Sequence, residues 1–154
     1  MKFSAGMIPL ALAAMLLASP ATAAPATPVV TDAWVKPTVP GGTVSAAYMS
    51  IKSDKPIKLV KAETTAAEIV EIHNMNMKDG VMIMKAVDAV EIPTDKVVEL
   101  KPGGLHVMLM KVRKSINAGD KVPLTLTFEG LDKKALVVRV DAKAQDKATI
   151  APTR

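Results

Sequence analysis

Two histidines and a cluster of methionines are the residues of this chain that could do chemistry. His73 and His106 are its only imidazoles, and it has no cysteine. Of ten methionines, Met1, Met7 and Met15 fall near the start. Six of the other seven, Met75, Met77, Met82, Met84, Met108 and Met110, lie between positions 75 and 110, and both histidines fall within or beside that window. Thioether sulfur is a soft, uncharged ligand. Imidazole combined with thioether, without thiolate or carboxylate, suits Cu(I) better than zinc, magnesium or calcium. A monovalent ion on uncharged donors leaves a single charge to stabilise, and flexible, individually weak thioethers allow it to exchange. The opposing reading is plain packing, since methionine commonly fills gaps in cores. Residue chemistry alone leaves both open.

The elements that would position these donors read as strands. Short apolar or period-2 runs rich in β-branched residues recur at Val29–Val35, Ser45–Lys52, Ile57–Ala62, Ile69–His73, Val81–Lys85, Lys96–Leu100, Leu105–Val112, Val122–Phe128 and Ala135–Asp141. Turn signals separate them: Pro40-Gly41-Gly42, Asp79-Gly80, Pro102-Gly103-Gly104, Ala118-Gly119-Asp120 and Gly130-Leu131-Asp132. Lys61–Glu68 could form one helical turn, and no long amphipathic helix is evident. About nine short strands predict an all-β antiparallel sandwich or barrel. Residues i and i+2 of a strand share a face about 6.5–7 Å apart. His106, Met108 and Met110 therefore share one face, and Met82 and Met84 share another. His73 is expected to end its strand, with Asn74–Gly80 as the connection. If the three strands are neighbours, His73, Met84, His106 and Met108 can converge.

The bulk properties narrow the setting. The chain has 154 residues, and its start, MKFSAGMIPLALAAMLLASPATAA, has a positive Lys2, an apolar run and a small-x-small site at Ala21-Thr22-Ala23. This predicts a secretory signal peptide over 1–23, cleaved near Ala23. The apolar run is shorter than the roughly 20 residues that span a bilayer. A bacterial lipid anchor needs a cysteine, which is absent. The expectation is a soluble, exported protein with one domain over 24–154 and no stable membrane insertion. The absence of cysteine also excludes thiolate catalysis and disulfides. The net charge of +5 comes from dispersed lysines and reads as solubility, with steering toward an acidic partner as the functional alternative. Trp34, Tyr48 and Phe128 are the aromatic residues after the leader and form no stacking cluster, which argues against nucleic acid. The tail Ala144–Arg154 is small and polar and is expected to fray.

The frame His73-x10-Met84-x21-His106-x-Met108 resembles the copper-binding signature of the PCu(A)C periplasmic copper chaperones. Flanking blocks agree in the same order: Ala33-Trp34-Val35-Lys36, Ala46-Ala47-Tyr48-Met49, Val70-Glu71-Ile72-His73, Gly80-Val81-Met82-Ile83-Met84, Lys101 through Met110, and Leu124 through Glu129. The resemblance implies a cupredoxin-like, Greek-key β-sandwich binding one Cu(I) through His73, Met84, His106 and Met108. It also implies delivery of copper to the Cu(A) centre of cytochrome c oxidase, or to another respiratory oxidase, with an oxidase subunit as acceptor and a Sco-type thiol protein as a further partner. Relatives with a His- and Met-rich tail take Cu(II) there, whereas after Asp141 this chain has neither residue.

The reading is therefore a monomeric copper carrier and not an enzyme. Glu71 shares strand parity with His73 and could orient its imidazole, although a solvated surface carboxylate is the plainer alternative. Gly103-Gly104 would lead the His106 strand through a tight turn. A blue-copper electron carrier would require a cysteine ligand, and no serine sits in an elbow-like setting for hydrolysis. A metal-free exported β-sandwich and a general copper storage or tolerance protein remain the competing readings.

Overall fold

A computed structural model describes residues 24–147. The leader expected over 1–23 and residues 148–154 of the tail lie outside the described residues. Ten strands are present among the described residues: β1 (Pro28–Val35), β2 (Val44–Ser53), β3 (Ile57–Glu63), β4 (Ala67–Lys78), β5 (Val81–Ala86), β6 (Val90–Ile92), β7 (Val98–Leu100), β8 (Leu105–Val112), β9 (Lys121–Gly130) and β10 (Ala135–Ala144). Those residues contain no helix that could cross a membrane.

The strands follow the period-2 pattern where one face meets the core. In β9, Val122, Leu124, Leu126 and Phe128 are buried, while Pro123, Thr125 and Thr127 face away. Pro123 donates no hydrogen bond, and it lies beyond the last pair of the β3–β9 ladder, Glu63 with Thr125. The helical turn considered at Lys61–Glu68 does not form. Lys61 and Glu63 belong to β3, Ala67 opens β4, and Thr64 Oγ1 accepts from the Ala66 amide between them.

One continuous path links the strands in the order β5-β4-β8-β2-β1-β10-β9-β3-β6, with β7 pairing β2. The path bends back on itself: β3 contacts β4, β6 contacts β2, and Ser53 bridges Thr94. Two layers result. Ala47, Met49, Ile51, Ile72, Val107 and Leu109 meet Leu59, Ile92, Leu124, Leu126 and Phe128 in one buried cluster. Burying each large side chain contributes about 1.5–3 kcal/mol. The all-β, cupredoxin-like expectation holds. The pairing is not wholly antiparallel, because β1 runs parallel to β10 through Trp34–Lys143 and Val35–Ala144. That pairing also orders the start of the expected frayed tail: Ala144 is buried and Gln145 N–H donates to the Val35 carbonyl.

Two turns position the donor-bearing strands. Asp79 and Gly80 both have positive φ (52° and 76°) and join β4 to β5 as a two-residue hairpin of the I′ kind. The segment Asn74–Lys78, expected as a connection, is therefore strand. Its sequence alternates Asn and Met and carries no apolar face for the core, so burial periodicity could not mark it. Ahead of β8, Gly104 N–H donates to the Lys101 carbonyl across Pro102 and Gly103, whose φ is +83°. Proline at the second position and a positive φ at the third make a type II turn. A Cβ on Gly103 would touch nothing within 4 Å, so the backbone conformation alone demands glycine there. Gly103→Ala is expected to destabilise the chain by about 1–2 kcal/mol, measured by urea denaturation. An unchanged midpoint would show that the turn relaxes freely.

Candidate metal site

The antiparallel register of β4 and β8 places His73 directly opposite His106 and Glu71 opposite Met108. In β8, Val107 and Leu109 turn into the core, so His106 and Met108 project from the other face of the sheet. On the far side of β4, Met75 pairs with Met84 and His73 with Ala86 of β5. Met84 is thus a diagonal neighbour of His73 on the same face, within about 7–8 Å backbone to backbone. The four residues of the frame occupy one patch spanning three adjacent strands. Met110 and Met82 share that face at greater remove, opposite Ile69 and Met77 respectively.

Each imidazole has one nitrogen engaged and one left over. His106 Nδ1 lies 3.0 Å from the Gly104 carbonyl oxygen. A carbonyl only accepts, so Nδ1 carries the hydrogen and the neutral ring keeps its lone pair on Nε2. The same Gly104 oxygen accepts the Met75 amide at 3.1 Å. His73 Nε2 lies 2.8 Å from Glu71 Oε2, which assigns its hydrogen to Nε2 and its lone pair to Nδ1. His73 Nδ1 is buried without a partner, the single such side-chain nitrogen or oxygen among the described residues. An unpartnered buried lone pair is costly unless something binds it. Glu71 therefore does orient the His73 ring, the role that competed with a solvated carboxylate.

Burial is graded across the patch. His106 is 3% exposed, whereas Met84 is 44% exposed. Trp34 and Tyr48, expected to form no stacking cluster, do pack against each other on the inner side, because β1 and β2 are paired neighbours. Tyr48 stands 6.3 Å from the His106 ring and Trp34 stands 4.4 Å from Tyr48, centroid to centroid. His73 and His106 rings meet edge to face at 5.9 Å. Trp34, Tyr48, His106 and His73 thus form a row across β1, β2, β8 and β4, with Lys147 Nζ over the Trp34 face. No signal short of strand register could have placed Trp34 and Tyr48 there. Among the described residues no three His, Cys, Asp or Glu side chains cluster as a hard cation or zinc would require. The grooves beside Leu131 are lined by other residues, such as Pro56, Ile57 and Ile92. The patch therefore suits a bare soft ion better than an organic ligand.

Comparisons with known proteins bear on the family and the fold. The LpqE-like family model, described as that of a lipoprotein, matches residues 29–141. The chain belongs to the LpqE-like family. Lxx21020 of Leifsonia xyli subsp. xyli, named as a lipoprotein, is 33% identical over 102 residues, covering 64% of this chain and 60% of that protein. RP573 of Rickettsia prowazekii is 31% identical over 113 residues, covering 70% and 62%. The chain thus matches only about three-fifths of the length of these curated relatives. Among solved structures, the copper-bound PCuAC domain from PmoF2 superposes with a TM-score of 0.62 at 26% identity, over 77% of this chain and 92% of that one. Apo-DR1885 from Deinococcus radiodurans superposes with a TM-score of 0.56 at 30% identity, over 97% and 99%. Its Cu(I) form gives 0.53 at 34% identity, over 80% and 81%. The resemblance to PCu(A)C-type proteins seen in the motif thus extends to the fold.

Burial of Tyr48 beside His106 raises its phenol above the usual value of 10.0 by desolvation. Tyr48 is the only tyrosine, so absorbance titration reads it alone. The folded chain is expected to form tyrosinate above pH 10 and the denatured chain near 10. The buried neutral phenol adds its full stability below about pH 10, and that contribution is lost as pH rises through the folded value. Coincident folded and denatured titrations would show an open ring environment.

Proposed function

We propose that this chain is an exported, periplasmic Cu(I) carrier that binds one ion through His73, Met84, His106 and Met108 and releases it by ligand exchange. The observation that carries the reading is the facing pair His73 and His106, each with one nitrogen tied and a lone pair free, flanked on the same face by thioethers. Two neutral nitrogens and two neutral sulfurs form a donor set that favours Cu(I) and disfavours zinc. The copper-bound PCuAC domain from PmoF2 and Cu(I)-DR1885 support copper as the ion.

The chain's own groups supply fixed and movable halves to the site. Gly104 and Glu71 hold the two rings in the tautomers that present a lone pair, so ion capture requires no proton transfer from either ring. His106 and its aromatic cover exclude water on the inner side. Met84, on an exposed edge strand, can swing away without disturbing the core. An acceptor can then add its ligand to the ion before the remaining donors let go. The acceptor in this reading is a Cu(A)-bearing oxidase subunit, with a Sco-type thiol protein as an intermediate or co-donor. Thiolates hold copper more tightly than thioethers, which sets the direction of transfer. Anaerobic transfer to a soluble Cu(A) domain separates carriage from storage, because a storage protein would retain the ion.

X-ray absorption of the copper-loaded chain is expected to show mixed nitrogen and sulfur donors around Cu(I). A sulfur-free shell would overturn the assignment. Glu71→Ala is expected to lower Cu(I) affinity by about 10–100-fold, the usual effect of losing a partner that orients a ligand. His106→Ala should cost more than that, with folding intact by circular dichroism; both are read by competition with a Cu(I) chelator. Equal affinity in His106→Ala and the parent would sink the site.

Oxidation supplies an independent check. Converting thioethers to sulfoxides removes the soft donors, so peroxide treatment should abolish Cu(I) retention and methionine sulfoxide reductase should restore it. Full retention after oxidation of Met84 and Met108, verified by mass spectrometry, would contradict thioether ligation.

A further inference from the structure

The β4–β5 hairpin carries methionines that packing does not explain. Met77 is 67% exposed, Met82 61% and Met84 44%. Core filling, the ordinary reason for methionine in a strand, does not apply to side chains left in water. Their placement is ordered. Met75 pairs with Met84 and Met77 with Met82, in successive rows on the face that carries His73. The tight turn at Asp79-Gly80 fixes that register, since its two positive-φ residues permit no slip. Lys85, Asn74, Asn76 and Ile83 project from the opposite face. Directly paired Cβ atoms stand about 4.5–5.5 Å apart, and the next row lies about 7 Å away. Unbranched thioether arms cover such gaps easily.

The donors thus run as a track. It starts at the buried, unpartnered His73 Nδ1, passes the Met75–Met84 row, and reaches Met77–Met82 near the tip of an edge hairpin. No carboxylate interrupts these two rows, so the track has no affinity for hard cations.

We propose that Met75, Met77 and Met82 form a second, weaker Cu(I) station on the β4–β5 hairpin, through which the ion enters and leaves the site at His73 and His106. This rests on the four-donor reading of that site. The station has sulfur donors only, whereas the inner site adds two oriented imidazoles, so an ion reaching the station moves inward. An acceptor meeting the exposed tip can draw the ion outward through the same sulfurs, without reaching the covered His106.

The test uses the full chain with 13C-labelled methionine methyls, titrated anaerobically with Cu(I). The first equivalent is expected to shift the Met84 and Met108 methyls and both histidine rings. The second is expected to shift Met75, Met77 and Met82. The triple variant M75L/M77L/M82L, conservative in volume and altered mainly at exposed positions, should keep the first equivalent at unchanged affinity. It should lose the second and transfer copper to glutathione more slowly. Unshifted Met75, Met77 and Met82 methyls with a normal first equivalent would overturn the station alone. A triple variant that still binds the second equivalent or transfers at the parent rate would overturn it too. Histidine rings, Met84 and Met108 left unmoved by the first equivalent would instead sink the four-donor site, whatever the hairpin does.

Discussion

The carbonyl of Gly104 is the point on which the arrangement of donors depends. It accepts the Met75 amide from β4 and the Nδ1 hydrogen of His106 from its own strand. One oxygen thereby ties the β4–β8 register to the orientation of an imidazole. Its position follows from the type II turn over Pro102 and Gly103, a geometry that Gly103 adopts without steric cost. Were β8 to slip by one residue against β4, His106 would turn into the core and Val107 toward water. The burial of Val107 and Leu109 opposes that slip with hydrophobic energy. The core therefore fixes the site indirectly, by fixing which face of β8 each residue takes.

The two histidines are held by unlike means, and the difference has chemical consequences. His106 is oriented by a backbone group, which no side-chain substitution can remove, and stands beside Tyr48, against which Trp34 packs. His73 is oriented by Glu71, whose carboxylate is about half exposed and open to exchange with solvent. One ring is a fixed post and the other is adjustable. With Met84 on the edge strand, the donors are ordered from rigid to mobile across β8, β4 and β5. A site graded in this way suits an ion that must be gripped and then surrendered. A uniformly rigid cage would retain it.

Much of this was legible in the sequence, for identifiable reasons. The β8 limits, Leu105–Val112, came directly from an apolar run bounded by Pro-Gly-Gly and by charged residues. The β9 alternation was read with its inward residues correct. What escaped was structure without a burial signature. The outer half of β4, Asn74–Lys78, is set by pairing with β5 and not by any core, so its Asn-Met alternation looked like a loop. The three-residue β6 was too short to show a period. The Trp34–Tyr48 cover depends on β1 and β2 lying next to β8, a consequence of topology that no local pattern carries. Within the site, strand parity named His73, Met84, His106 and Met108 as residues that converge only if their strands are neighbours, and β4, β5 and β8 do lie side by side. The nitrogen each imidazole leaves free depended on Gly104 and Glu71, and hence on three-dimensional register.

The neutrality of the donor set has a bearing on where such a site can stand. A thiolate or carboxylate cage at this depth would carry buried negative charge whenever the ion left, at a cost of several kcal/mol per ion. In the proposed carrier a departing ion would leave behind two neutral rings already hydrogen-bonded on one side and thioethers that tolerate either water or apolar neighbours. The β4–β8 pairing from Ile69 to Asn74 is made by backbone groups and not by the donor side chains. The one residual cost is the orphaned Nδ1 of His73. It is the feature that favours occupancy, and it sits at the inner end of the methionine rows, where a soft ion arriving from the hairpin would meet it first.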